Sequence, residues 1–231
     1  MAMARSTVFD RATVQNEFVR RVYNWMALGL AVTAITALYL AASGLAFSLL
    51  ASPVTLLVLV LAELGIVIAL SAAIGKLQSS TAMLMFFAYA FLNGLTLSII
   101  FLVYTKASIA STFFITAGTF AAMSIYGYTT KKDLTSMGSF MTMALIGIII
   151  ASFVNFFLRS PAFYWLITYA GVAIFVGLTA YDAQQIKEMS YAGFAGSEDE
   201  RKGAVIGALR LYLDFINLFL LFLRIFGKQN D

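Results

Sequence analysis

Residues 205–226 read VIGALRLYLDFINLFLLFLRIF. A helix needs about 20 apolar residues to cross the hydrocarbon core of a bilayer, and this run is long enough. It carries ionisable side chains at Arg210, Asp214 and Arg224, which an ordinary lipid-facing span avoids. Working back toward the N-terminus, runs of the same character occupy roughly 162–183, 140–158, 108–128, 83–103, 54–74 and 22–42. Each is bounded by Gly, Pro, Ser or charged residues. The expected fold is an all-α integral membrane protein with seven transmembrane helices.

Composition agrees. Of the 231 residues, 61% are hydrophobic and only 11% charged, where a soluble domain carries about a quarter charged. The expected organisation is a polar N-terminal leader at 1–21, a seven-helix domain at 22–226 and a short tail at 227–231, with no room for a soluble domain. The formal net charge is +4, but the basic residues are scattered among the spans, so they read as topology signals and not as a nucleic-acid surface. Arg5, Arg11, Arg20, Arg21, Lys76, Lys131, Lys132, Lys187, Arg201 and Lys202 fall on one side, against Lys106, Arg159 and Lys228 on the other. That bias predicts a cytoplasmic N-terminus and an outside C-terminus. The polar stretch 184–204, acidic at Glu198, Asp199 and Glu200, is expected to be a solvated connector, although helix formers after residue 183 could carry the sixth span on to Met189. Small pairs at four-residue spacing, Gly118/Ala122, Gly147/Ala151 and Ala173/Gly177, are expected where helices approach closely. Trp25 and Trp165 are expected as interface anchors.

There is no cysteine and no histidine. Cys/His zinc sites, iron–sulfur clusters, disulfides and Ser–His or Cys–His catalysis are therefore out of reach. No phosphate-binding G-x-x-x-x-G-K-[ST] occurs. No mid-span lysine offers a Schiff base for a retinal-type cofactor, and no cofactor is expected. Proton sensing, if present, must use carboxylates.

An ionisable group inside a span costs a few kcal/mol and needs a partner or a function. Glu63, Asp182, Asp214 and Arg224 are the candidates, while Arg210 can snorkel to the interface. Asp214 has almost nothing polar around it in LYLDFINLFLLFL. Asp182, in GLTAYDAQQIKE, reaches a similar depth if its helix continues to Met189. Two close carboxylates share a proton, and together they can offer oxygen ligands to a hard cation such as calcium. Glu63 in the second span and Arg224 at the far end of the last could neutralise one another.

GLTAYDAQQIKE and LRLYLDFINLFLLFLRIFG, with RRVYNWMALGL, ASIASTFFITAGTF and YGYTTKKDL, resemble bacterial members of the Bax inhibitor-1 family, the transmembrane Bax-inhibitor-motif proteins. The resemblance covers essentially the whole chain. It implies six helices around a central last helix, residence in the bacterial inner membrane, and a pH-sensitive calcium leak. It places the aspartate dyad on Asp182 and Asp214, and a second charged contact, a latch, on Glu63 and Arg224. In some bacterial relatives an arginine at the end of the second helix bonds the dyad. Here that stretch reads SAAIGK, with Ile74 at the position and Lys76 as a weaker substitute. The function expected is a non-enzymatic calcium leak whose partners are calcium ions, protons and the lipid bilayer. Two other readings stay open. An intramembrane aspartyl protease is suggested by Tyr181-Asp182, although L-Y-L-D replaces the G-x-G-D of that group. The other is a membrane scaffold or regulator of other proteins.

Overall fold

The computed structural model describes the backbone of residues 2–190 and 197–230, with side chains from residue 16 onward except 48–50. Met1, residues 191–196 of the expected connector and Asp231 of the expected tail lie outside the described residues. Among the described residues there are helices and no strand: α1 (Ala2–Ser43), α2 (Leu45–Leu50), α3 (Pro53–Ala73), α4 (Ser79–Leu97), α5 (Ile100–Val103), α6 (Lys106–Thr129), α7 (Thr135–Leu158), α8 (Pro161–Met189) and α9 (Glu198–Phe226). Seven helical stretches are long and apolar enough to cross a membrane: 16–43, 53–73, 79–103, 106–129, 135–158, 161–189 and 198–226.

Local chemistry explains where these helices begin. Ser52 accepts a hydrogen bond from the Thr55 N–H while Pro53 opens α3, the arrangement in which a hydroxyl satisfies an orphan donor and proline loses nothing. Thr105 caps α6 in the same way through Ser108. Two expectations change. The polar leader is not separate from the first span, because α1 runs through it without interruption. The connector at 184–204 is largely helical: α8 continues to Met189 and α9 starts at Glu198. Glu198, Asp199 and Glu200 then occupy the first turn of α9, where carboxylates meet the positive end of the helix dipole. The side chain of Glu198 also accepts from the N–H and hydroxyl of Ser79 at the start of α4.

The chain divides into two compact units. One comprises Met1–Tyr104, Ile186–Tyr212 and Asn230–Asp231. In it Gly94 of α4 packs on Thr33 and Thr36 of α1, and Val22 of α1 meets Gly207 of α9. Arg21 pairs with Glu200 at 3.4 Å. The other comprises Thr105–Gln185 and Leu213–Gln229. Its core is Ile174, Phe175 and Leu178 of α8 with Leu218 and Phe222 of α9, flanked by Met141, Ala144 and Leu145 of α7.

Burial is uneven along the sequence. In α9, 67% of the apolar stretch is buried, against 0% in α7. Phe140, Ile146, Ile149, Ile150, Phe153 and Phe156 of α7 are exposed, as suits a helix that meets lipid. The small-residue expectation needs correction. A Cβ added at Gly118 or Gly147 would touch nothing, whereas one at Gly127 would drive into the Ala180 carbonyl oxygen and one at Gly138 into the Tyr181 ring. Of the expected pairs only Gly177 is closely packed, against Met141. Four-residue spacing marks a helix stripe but not which way the stripe faces.

Candidate functional site

Asp182 lies on α8, seven residues before its end, and is partly buried. Asp214 lies on α9 and is 4% exposed, with Oδ2 sealed from solvent. Both belong to the second unit. A Cβ on Gly171 of α8 would meet Leu221 of α9, and Leu178 and Leu218 share one core cluster. In the first unit the same two helices run antiparallel, with Ile186 against Gly207 and Met189 against Gly203. Asp182 is four residues beyond Leu178, and Asp214 four residues before Leu218. Because α8 and α9 are antiparallel, both steps of about one turn lead off the same end of the cluster. The stripes that α8 and α9 turn toward one another therefore each continue into an aspartate.

The segment bearing Asp182 is held tightly. Gln184, 5% exposed, accepts from the Leu134 N–H and donates to the Lys132 carbonyl, each at 2.8 Å. A glutamine used in this way satisfies a turn with one buried side chain. Ala180 and Tyr181 are the two residues against which Gly127 of α6 and Gly138 of α7 press. Asp133, on the same corner, accepts from Thr135, whose hydroxyl and backbone N–H hold its exposed carboxyl below the ordinary range. The clip and the two glycine contacts fix the backbone on either side of Asp182.

Glu63 stands in the first unit. Its Oε1 accepts from the Thr96 hydroxyl and its Oε2 from the Asn93 amide at 3.4 Å, both donors on α4. Neutral groups therefore surround a carboxylate for which sequence reasoning sought a cation. Arg224, in the second unit, is exposed in the last turn of α9 with its guanidinium 5.4 Å from the Tyr164 ring centroid, a cation–π arrangement. Lys76 is exposed in the turn between α3 and α4. Trp165 stacks on Tyr169, and Trp25 meets the edge of Phe87.

Sequence reasoning missed Asn93, Thr96, Tyr212, Thr33 and Gln184. Tyr212 is wholly buried, donates to Asn93 Oδ1 at 3.2 Å and lies 2.6 Å from the Thr33 hydroxyl. The available signal was Asn93, an amide inside an apolar run, since such a residue seeks interhelical hydrogen bonds. Among the described residues no group of three or more acidic side chains is gathered into a metal cage. Two carboxylates could attract a divalent ion, yet they fall short of the six to eight oxygens that hold calcium firmly.

Comparison with known proteins extends this picture. The profile of a family described as inhibitor of apoptosis-promoting Bax1 matches residues 15–231. The inner membrane protein YbhL of Escherichia coli (strain K12) is 52% identical, with 97% of each chain covered. Relatives from Borreliella burgdorferi and Deinococcus radiodurans are 45% and 40% identical, covering 94% and 100% of this chain and 94% and 97% of their own. With a match across nearly its whole length and seven helices of spanning character, the chain belongs to the Bax1-inhibitor family of membrane proteins.

Proposed function

We propose that the protein is a pH-sensitive calcium leak channel, gated by protonation of Asp182 and Asp214, and that it works in the inner membrane as the name of its E. coli relative indicates. The observation that carries this reading is the continuation of both facing stripes into an aspartate, one turn off the same end of the Leu178–Leu218 cluster. At low pH the pair shares a proton, loses most of its attraction for calcium and holds α8 and α9 together. When both are ionised they repel one another and attract a divalent cation, which favours separation of the helices. One protonation event thereby changes ion affinity and helix contact together. The charge bias supports a cytoplasmic N-terminus in this reading. Calcium is the cargo.

The test is calcium flux in vesicles containing only this chain, read from pH 5 to 8. Asp182→Asn and Asp214→Asn should each flatten the pH dependence, since a single carboxylate has no partner with which to share a proton. Wild-type profiles in both variants would overturn the gate. No flux from the wild type would favour a scaffold, and peptide cleavage lost in either variant would favour a protease.

A further inference from the structure

Four side chains and a main-chain carbonyl in the first unit form one continuous hydrogen-bonded chain. Glu63 Oε2 on α3 accepts from Asn93 Nδ2 on α4 at 3.4 Å. Asn93 Oδ1 accepts from the Tyr212 hydroxyl on α9 at 3.2 Å. Tyr212 is 2.6 Å from the Thr33 hydroxyl on α1, which in turn reaches the Ala90 carbonyl at 2.8 Å. Asn93, Tyr212 and Thr33 are 7%, 0% and 4% exposed. Water therefore does not substitute for a lost partner in the middle of the chain. The other oxygen of Glu63 is served by Thr96, whose hydroxyl also lies 3.3 Å from the Leu92 carbonyl.

We propose that Glu63 is a second proton-binding site, separate from the aspartates, whose occupancy is relayed to α9 and α1 by reversal of the Asn93–Tyr212–Thr33 hydrogen bonds. With Glu63 ionised, the amide N–H faces the carboxylate, and Tyr212 gives its proton to the amide oxygen while accepting the Thr33 proton across the 2.6 Å contact. A proton on Oε2 turns that atom from acceptor to donor. The Asn93 amide then rotates to offer Oδ1 to the acid, and its N–H now faces Tyr212. The Tyr212 hydroxyl accepts from it and donates to Thr33, which donates to Ala90. Thr96 is free to turn to the Leu92 carbonyl. Every donor keeps an acceptor in both states, which a buried network requires. One proton is taken up, no bond other than its O–H is formed, and no charge is left behind. Among the described residues, the titratable groups facing Glu63 in this unit are Tyr89 on α4 and Tyr212 on α9. Neither phenol ionises between pH 5 and 8.

The experiment is infrared titration of the carboxylic-acid C=O stretch on the full chain in calcium-free lipid vesicles, so that its outcome does not depend on ion flux. A titrating component of the band should vanish in Glu63→Gln and persist in an Asp182→Asn/Asp214→Asn double variant. Thr33→Val removes the acceptor that Tyr212 needs only in the proton-bound arrangement. It should lower proton affinity at Glu63 about fivefold, the effect of one net hydrogen bond, and Thr33→Ser should restore the wild-type midpoint. A band unchanged in Glu63→Gln would overturn the site. An unchanged midpoint in Thr33→Val would overturn the relay. If Glu63→Gln fails to reconstitute, Glu63→Asp, with its shifted acid frequency, makes the assignment.

Discussion

Glu63 and Asp214 are both acidic residues deep in apolar helices, but their surroundings differ. Glu63 is partly exposed and receives its hydrogen bonds from the side chains of Asn93 and Thr96. Asp214 is almost wholly buried and continues a stripe of leucine and phenylalanine toward a helix that carries a second aspartate. A carboxylate among neutral donors can be kept ionised or protonated at modest cost, because donors on hydroxyls and amides can turn round. In the gate proposed above, Asp182 and Asp214 instead share a proton or separate. The first setting suits a site that adjusts to a proton, and the second a site that is forced to choose.

The largest expected contrast comes from one substitution made in both regions. Gly127→Ala pushes a methyl into the backbone oxygen of Ala180, two residues from Asp182. It should cost about 3 kcal/mol, read as a lower unfolding temperature in detergent. Gly65→Ala, two residues from Glu63, meets open space and should be neutral or gain up to about 1 kcal/mol from helix propensity. Equal effects at the two glycines would erase the difference in packing between the regions. Next in size, Gln184→Leu removes one buried and one partly buried hydrogen bond from the 132–134 corner. A loss of about 2 kcal/mol is expected, with faster amide exchange at Leu134 and little change near Glu63. The smallest effect belongs to Asp133. Its carboxyl is held below the ordinary range by Thr135, so its stabilising contribution is complete above the unfolded carboxylate range. That contribution is lost only as pH falls through the depressed folded value. Asp133→Asn should leave any pH profile between 5 and 8 unchanged, and a shifted profile would move part of the proton response to this exposed corner.

Run length and polarity made the seven spans legible, because the bilayer thickness leaves few alternatives. The limits of α8 and α9 were harder to read, since Gln184, Lys187 and Glu198–Glu200 are polar and yet favour helix. They extend it at one end and complement its dipole at the other. Asp182 and Asp214 stood out by cost alone. The donors to Glu63 did not, because Thr33, Thr96 and Tyr212 are ordinary in a span and become a network only when α1, α3, α4 and α9 are set in register. A charged partner is the simplest guess from one dimension. Placing neutral partners requires knowing which face each helix presents.

The two glycines beside Asp182 also carry a consequence for sequence variation. A relative 52% identical differs at nearly half of its aligned positions, and the outward face of α7 can absorb such change because one apolar side chain serves lipid as well as another. At Gly127 a side chain would drive into the Ala180 backbone, and at Gly138 it would have to displace the Tyr181 ring. Drift at these sites is therefore closed whatever the activity under selection. An alignment of relatives should show glycine there even where the lipid-facing residues a turn away have been wholly replaced.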